Sequence, residues 1–306
     1  MKNRDILIIS TADWDSPIQT NKQYVSKELA KLGYRIIYVE SLGIRKIKFK
    51  KGDFKRIFKR LKKVITPFLN VDKNIYVVSP ILIPGATNKF IIIFNKILLN
   101  IKLNIAIYSL NFSKDLLWTY NPLTCLYLNI NKFKYRIYHA VDAIENQPYM
   151  PKDLIIFYEK ILLSNVDKVF VTSKNLLKKL SSFNKNISFY GNVCDFDHFS
   201  KSKTIPQNEI PEDIKLIKKP IVGFFGSISE YKLDFDLILE VSKKLKDISF
   251  VFIGPKNDLI KKNKLNLLKN QKNIYFLGYK KYEKLPSYCA FFDVSWLPLI
   301  KNKYTE

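Results

Sequence analysis

Residues 220–232 read PIVGFFGSISEYK, and this stretch decides how the second half of the chain is interpreted. Its apolar run ends at Gly226 and Ser227, and a short loop then carries Lys232. The helical pattern of Leu233 to Lys246 follows directly. A strand, small residues, a cation and a helix start in this order predict an anion site, because backbone N–H groups and a positive charge converge there. An ordinary strand-to-helix turn of an α/β domain is the alternative.

Strand-like and helix-like segments alternate on both sides of this stretch. In the second half, strands are predicted at 249–253, 274–277 and 294–297, with helices at 259–268 and 282–290. In the first half, strands are predicted at 5–10, 34–40, 75–79, 105–110, 135–141, 167–172 and 187–190, with helices at 20–32, 89–101, 123–130, 151–164 and 173–180. Such alternation is typical of parallel sheets. The predicted fold class is therefore α/β, with two Rossmann-like parallel-sheet domains.

The segment between the two halves has the composition of a connector. Residues 200–219 are polar and contain Pro206 and Pro211. We therefore predict an N-terminal domain over 1–199, a linker over 200–219 and a C-terminal domain over 220–306. The chain stops without closing helices after its last predicted strand, so the second domain is expected to be incomplete.

The charge of the chain predicts an anionic partner. Lys and Arg number 52 against 27 Asp and Glu, a formal net charge of +25. The most basic stretch, Ile44–Lys63, has apolar residues at helical spacing, which is typical of an amphipathic helix lying on anionic lipid. A helix that packs its apolar side on its own domain is the alternative. No nucleic-acid-binding motif accompanies the charge, so nucleic acid is not an expected partner.

Cysteine usage and hydropathy indicate the cellular compartment in which the protein is expected. Cys125, Cys194 and Cys289 are widely spaced and predict neither a disulfide framework nor a metal site, and no metal or cofactor is expected. The apolar region 90–110 is interrupted by asparagines and lysines, so no transmembrane helix is expected. The first strand starts almost at the N-terminus, which leaves no room for a signal peptide. A cytoplasmic protein, held peripherally on the inner face of the plasma membrane, is the expectation.

Polar side chains follow two predicted strands of the first domain. The loop 11–20, TADWDSPIQT, lies at the carboxyl end of the first strand, where open α/β sheets bind ligands, and lacks the glycine pattern of a dinucleotide site. Asp13 and Trp14 are candidates for contact with a polar acceptor, with a capped turn as the alternative. His139 and Asp142 lie near the end of the strand YRIYHAV and are predicted to accept a proton or stabilise developing charge. For His139, a hydrogen-bonded structural histidine is the alternative.

Four stretches together resemble retaining GT-B glycosyltransferases of family 4. They are GNVCDFDHF at 191–199, GFFGSISEYKLDFDLI at 223–238, FVFIGP at 250–255 and NIYFLGYKKYEKLPSYCAFFDVSWLPL at 273–299. The Gly-small-Ile-Ser-Glu loop resembles the teichuronic-acid type of bacterial polysaccharide transferases in particular. Over the first domain the resemblance is mainly topological.

The resemblance implies a donor site for a nucleotide-sugar in the second domain. Gly226, Ser227 and Lys232 would bind the donor diphosphate, and Gly278 with Tyr279 would lie near the nucleotide base. Ser227 stands where many relatives have an arginine. In the first domain, Asp142 matches an acidic position of these relatives, whereas the residue at the His139 position departs from theirs.

The activity that the resemblance implies is retaining transfer of a sugar to an acceptor. That acceptor would be lipid-linked or a saccharide, in cell-surface polysaccharide biosynthesis. A pair of glutamates that grips the donor in the family would lie just beyond Glu306. If nothing completes the domain, weak donor binding and little or no turnover are expected. The alternative is a non-catalytic basic protein that binds membrane or nucleic acid on a GT-B-like scaffold.

Overall fold

The computed structural model describes residues 5–42, 66–80, 82–83, 88–256 and 262–305. The chain divides into two compact units, Met1–Val193 and Cys194–Glu306. Each unit is built on its own sheet, so the prediction of two parallel-sheet α/β domains is confirmed. The predicted membrane helix at Ile44–Lys63 lies outside the described residues.

The first unit contains an eight-stranded sheet with the order β3-β4-β2-β1-β5-β6-β7-β8. Its strands are β1 Asp5–Ile9, β2 Arg35–Val39, β3 Leu69–Asp72, β4 Ile75–Val78, β5 Leu116–Thr119, β6 Tyr135–Ala140, β7 Lys168–Val171 and β8 Ile187–Phe189. All neighbours run parallel except β3, which pairs antiparallel with β4 at the sheet edge. The central β1, DILII, is buried along its whole length. A continuous apolar run is what a strand covered on both faces requires.

Helices flank this sheet. They are α1 Asn21–Lys31, α2 Lys89–Ser109, α3 Thr124–Tyr127, α4 Lys152–Asn165 and α5 Lys174–Leu180. Polar side chains cap the starts of α1, α2 and α5. Thr20 forms a capping box with Gln23 at the start of α1. Ser173, at the start of the helix predicted over 173–180, is the N-cap of α5 and accepts a hydrogen bond from the Leu176 N–H.

The strand predicted at 105–110 is wrong, and the true central strand β5 was missed. Helix α2 continues to Ser109, because Leu99, Leu103 and Ala106 repeat at helical spacing and all three are buried. The β-branched residues between them suggested a strand. The short β5 segment, LLWT, carries too few residues to show a period of its own.

Helix α2 is also long and apolar enough to cross a membrane, judged by length and composition alone. Its 21 residues include a window with a mean hydropathy of 1.8, of which 22% is buried. The sequence-based expectation that this region could not span a membrane therefore fails on those two criteria. Leu99, Leu103 and Ala106 are nonetheless buried in the core of the first unit, so α2 packs as one of its helices.

The second unit contains a four-stranded parallel sheet with the order β11-β10-β9-β12. Its strands are β9 Ile221–Phe225, β10 Ser249–Ile253, β11 Ile274–Gly278 and β12 Val294–Ser295. Its helices are α6 Phe196–Ser200, α7 Glu212–Lys215, α8 Phe235–Lys244, α9 Lys262–Lys269 and α10 Leu285–Cys289. Helix α8 is shorter than the predicted Leu233–Lys246 at both ends.

The segment predicted as a linker over 200–219 belongs to the second unit. Ile210, Ile214 and Ile217 are buried in the same core as β9 and β10, at a spacing that fits one helical face. Asp213 accepts a hydrogen bond from the Tyr288 hydroxyl at 2.8 Å, which ties α7 to α10. The boundary therefore falls between residues 193 and 194 rather than after residue 199.

One asparagine fixes the residues at which the first unit ends. The Asn21 side chain donates to the Asn192 side-chain oxygen at 2.9 Å and accepts from the Val193 N–H at 3.1 Å. Asn21 is itself buried at the start of α1. The end of the first unit is thus anchored to its first helix.

A buried ion pair joins the starts of the neighbouring strands β1 and β2. Arg35 donates to both carboxylate oxygens of Asp5, at 2.8 and 2.6 Å, and also to the carbonyl of Leu110. Asp5 is 1% exposed and additionally accepts from the Ser113 N–H at 2.6 Å. This bidentate pair therefore connects β1, β2 and the turn that precedes β5.

We expect Arg35→Met to lower the free energy of unfolding by about 3–5 kcal/mol, because a buried carboxylate would lose its counter-charge. Urea denaturation followed by fluorescence, to which Trp14 and Trp118 contribute, measures this. The matched control is Lys134→Met, which breaks an exposed pair with Asp115 and should cost less than about 1 kcal/mol. Equal losses in the two variants would contradict the structural role of Arg35.

Candidate functional site

Three neighbouring strands of the second sheet end in glycine at one edge. Gly226 follows β9, Gly254 follows β10, and Gly278 ends β11. The Gly226 N–H donates to the Ile253 carbonyl at 2.9 Å, and the Gly254 N–H donates to the Gly278 carbonyl at 2.8 Å. Because the strands are parallel, their carboxyl ends lie together, at the edge where open α/β sheets bind ligands.

Gly254 is the glycine with the least space. Its φ is +141°, and a Cβ at this position would lie 1.9 Å from the Gly226 carbonyl oxygen. Only glycine allows the loops after β9 and β10 to approach this closely. Gly226 and Gly278 were predicted site residues, whereas Gly254 was not assigned, although the pattern FVFIGP placed a glycine at the strand end.

A second lysine lies beside the loop that follows β9. The Ile228 N–H donates to the Pro255 carbonyl at 3.0 Å, and the backbone of Ile228 bridges to that of Lys256. The Lys256 ammonium lies 4.9 Å from the centroid of the Phe276 ring. Burial, with a smaller contribution from Lys269, lowers the pKa of Lys256. Sequence reasoning missed this cation, because it follows a different strand from Lys232.

Lys232 is held by the C-terminal segment of the described chain. Its ammonium lies 5.8 Å from the Tyr231 ring centroid and 5.5 Å from that of Tyr304, distances typical of cation–π contacts. The Lys232 carbonyl accepts from the Ile300 N–H at 2.9 Å. The Asn302 side chain donates to the Tyr231 carbonyl at 2.9 Å. The loop and the segment 300–305 therefore form one packed unit around the lysine.

The start of α8 contributes less to an anion site than predicted. Asp234 is its N-cap and accepts from the Leu237 N–H at 2.9 Å. Its own N–H donates to the Pro298 carbonyl. A carboxylate of the chain thus occupies the helix start, and the glycine edge and the two lysines remain as the positive features of the loop.

Three further polar residues of these loops are candidates for ligand contact. The Ser229 hydroxyl is buried and has no hydrogen-bond partner among the described residues. Ser227, the residue in the place of the family's arginine, is half-buried. Tyr279 follows Gly278, whose φ is +72°, and is 49% exposed. Ser229 is a further residue that sequence reasoning did not assign.

In the first unit, Asp142 is paired with a buried lysine. Asp142 lies two residues beyond β6, and its side chain is 37% exposed. The Lys22 ammonium, from the first turn of α1, lies 3.9 Å from the Asp142 carboxylate, and the Lys22 side chain is only 7% exposed. Lys22 also lies 5.8 Å from the centroid of the Tyr120 ring. The structure thus adds Lys22 to the predicted carboxylate.

His139 lies inside an aromatic cluster instead of on the rim. It is 7% exposed, and its ring centroid lies 4.9 Å from that of Tyr120 and 6.0 Å from those of Trp118 and Phe170. Neither ring nitrogen has a hydrogen-bond partner in the part of the chain that the structure describes. Burial, with a smaller effect from Lys22, lowers the pKa of His139 to about 4. The imidazole is therefore neutral near pH 7, and the alternative of a hydrogen-bonded strand histidine does not apply either.

Asp13 and Trp14 form the capped turn that was the alternative for this loop. The Asp13 carbonyl accepts from the Ser16 N–H and from the Gln23 side chain. The Trp14 ring packs edge-to-face on Tyr38 with 5.0 Å between centroids. Contact of these two residues with an acceptor stays a prediction.

Among the described residues, no group of three or more His, Cys, Asp or Glu side chains could hold a metal ion. The three cysteines are free thiols. Neither candidate edge therefore offers a metal-ligand set within those ranges.

We expect His139→Phe to remove a pH dependence of stability. With a folded pKa of about 4 against an ordinary value of 6.5, His139 binds a proton more readily in the unfolded chain. The contribution of the neutral imidazole to the free energy of unfolding is therefore present above about pH 6.5 and is lost as the pH falls towards 4. It amounts to about 3 kcal/mol in all. Urea denaturation over this pH range should show a shallower loss for His139→Phe than for the unsubstituted protein. Parallel curves would contradict the buried, neutral imidazole.

No protein-family model matches the chain. Over 136 residues, 44% of this chain, it is 26% identical to TuaH of Bacillus subtilis (strain 168), which is named as a teichuronic acid biosynthesis glycosyltransferase. The matched stretch spans 32% of that protein's length.

Solved glycosyltransferase structures share the fold over nearly the whole chain. Sucrose-phosphate synthase from Thermosynechococcus elongatus is 13% identical, with a TM-score of 0.65 over 97% of this chain and 76% of that one. A glycosyltransferase from Rickettsia africae is 17% identical, with a TM-score of 0.60 over 96% and 73%. HepE of Anabaena, in complex with UDP and glucose, is 13% identical, with a TM-score of 0.58 over 95% and 73%. The chain therefore has the α/β fold of GT-B glycosyltransferases, with two Rossmann-like units.

Proposed function

We propose that this protein transfers a sugar from a nucleotide-sugar donor to an acceptor, with the donor diphosphate at the glycine edge of the second sheet. The observation that carries this proposal is the convergence of Gly226, Gly254 and Gly278 at one edge, with Lys256 paired to the loop that leads from Gly226 to Lys232. The similarity to TuaH and the UDP complex of HepE support the same reading.

The chemistry of the site suits a departing nucleoside diphosphate. When the bond from the sugar to the diphosphate breaks, negative charge grows on the leaving oxygen. Lys232 and Lys256 would stabilise that charge, and the buried Ser229 hydroxyl would donate to a phosphate oxygen. Glycine at 254 allows the loops after β9 and β10 to approach each other closely, which brings Lys256 beside the loop that carries Lys232. The Tyr279 ring is exposed enough to stack on the nucleotide base.

In the first unit, the proposed role of Asp142 is to accept the proton of the acceptor hydroxyl. Its half-exposed carboxylate can reach solvent or substrate, whereas His139 is enclosed and neutral. Lys22, whose ammonium lies 3.9 Å away, would hold the Asp142 carboxylate in place. Asp13 and Trp14 are proposed only to line the acceptor side of the site, without a part in proton transfer.

Three more specific assignments, which come from the sequence resemblance, extend this proposal. They are a retaining mechanism of the family 4 type, a lipid-linked or saccharide acceptor, and a role in cell-surface polysaccharide biosynthesis. The lysine-rich stretch Ile44–Lys63 and the net charge of +25 support a cytoplasmic protein that binds anionic membrane peripherally.

Nucleotide binding tests the donor site. By titration calorimetry with UDP and GDP, we expect Lys232→Ala to weaken binding about tenfold or more, because a charge-assisted hydrogen bond is lost. Lys256→Ala should weaken binding in the same direction. Lys243→Ala, on an exposed face of α8, is the matched control and should bind like the unsubstituted protein.

Two outcomes would argue against a donor site. Unchanged affinity in both Lys232→Ala and Lys256→Ala would remove the diphosphate from this edge. Tight binding of nucleic acid with no binding of either nucleotide would favour a non-catalytic basic protein. Release of nucleoside diphosphate from a panel of nucleotide-sugars then tests transfer itself.

A further inference from the structure

Helix α2 packs on the first unit with one of its faces. Asn95, Leu99, Leu103 and Ala106 are its buried residues. The Asn95 side chain accepts from the Ile83 N–H and donates to the Ile83 carbonyl, each at 2.7 Å. These contacts fix the rotation of α2 about its own axis.

The opposite face of α2 is apolar and exposed along its whole length. Its members, called here the α2 stripe, are Phe90, Ile93, Phe94, Ile97, Ile101, Ile105 and Tyr108. Each side chain is at least 47% exposed, and Tyr108 is 89% exposed. At 3.6 residues per turn, all of them fall within an arc of about 120°. A contiguous apolar surface of this extent marks an interaction site rather than scattered surface residues.

The charges around the stripe indicate what covers it. Helix α2 contains no acidic residue, and the exposed Lys89 and Lys96 border the stripe. The whole chain carries a formal charge of +25. An apolar stripe bordered by lysines fits an anionic bilayer, because the side chains enter the acyl boundary while the ammonium groups stay at the phosphates.

We propose that the α2 stripe binds the surface of an anionic lipid bilayer, with α2 lying in the plane of the interface. A spanning orientation would require lipid around the entire helix, whereas Leu99, Leu103 and Ala106 belong to the core of the first unit. This surface is separate from the stretch Ile44–Lys63, and the proposal does not depend on sugar transfer.

Co-sedimentation of the full chain with vesicles of phosphatidylglycerol and phosphatidylcholine in equal parts tests the stripe. For the double variant Ile97→Ser with Ile101→Ser, we expect the partition coefficient to fall about tenfold or more, because two apolar side chains no longer enter the bilayer. The matched control replaces two exposed apolar residues elsewhere, Phe157→Ser with Leu216→Ser, and should partition like the unsubstituted protein. Circular dichroism checks that both variants are folded.

A site-specific probe gives a second reading. Ile97→Trp should show a blue shift of its emission when these vesicles are added, whereas Phe157→Trp should not. For Lys89→Gln with Lys96→Gln, we expect weaker partition into anionic vesicles and no change with phosphatidylcholine alone.

Three results would overturn the proposal. The first is unchanged partition of the Ile97→Ser and Ile101→Ser variant, which would leave membrane binding to other parts of the chain. The second is an Ile97→Trp emission that does not respond to vesicles. The third is a dimer in sedimentation velocity that this double variant converts to monomer without any change in partition, which would make the stripe an interface between two copies.

Discussion

The candidate donor site depends on a steric constraint at Gly254. Parallel pairing brings the ends of β9, β10 and β11 to one edge, but the loops beyond them can meet only if no Cβ intervenes. Glycine at 254 satisfies that condition against the Gly226 carbonyl. The approach then brings Lys256, from the loop after β10, beside Ile228 of the loop after β9, which is the loop that carries Lys232. The chemistry proposed for this edge follows from its backbone packing.

The corresponding edges of the two sheets are built in different ways. In the second unit, three neighbouring strands end in glycine, and the lysines of the following loops lie near aromatic rings. In the first unit, Tyr120 and His139 fill the ends of β5 and β6, and the Lys22–Asp142 pair places charge beside them. Small residues with lysines beside them suit the close approach of phosphate oxygens. A filled edge with a partly exposed carboxylate beside it suits the handling of a hydroxyl proton.

Local patterns in the sequence predicted most helices and strands, but they did not predict contacts between residues far apart in the chain. The strand–glycine pattern at Gly226 and the cap at Ser173 depend on residues next to each other in the chain. Lys22 and Lys256 were missed because their partners lie in other strands and helices, which only the fold brings near. The 200–219 segment looked like a linker because its isoleucines are separated by polar residues and prolines, and the core that Ile210, Ile214 and Ile217 share with β9 and β10 forms only in the folded unit. The region 105–110 shows the competition between β-branched composition and helical spacing, which the buried contacts of α2 decide.

The strand order of the first sheet has a consequence for how the protein is made. From the central β1, the strands β5, β6, β7 and β8 lie outward in the order in which they occur in the chain. Each strand can therefore pair with a finished neighbour as it leaves the ribosome, without displacing one already in place. The residues that come last, Asn192 and Val193, bind Asn21, which is among the earliest. The hydrogen bonds of Asn21, in the first helix, are therefore completed only when the last residues of the first unit have been synthesised.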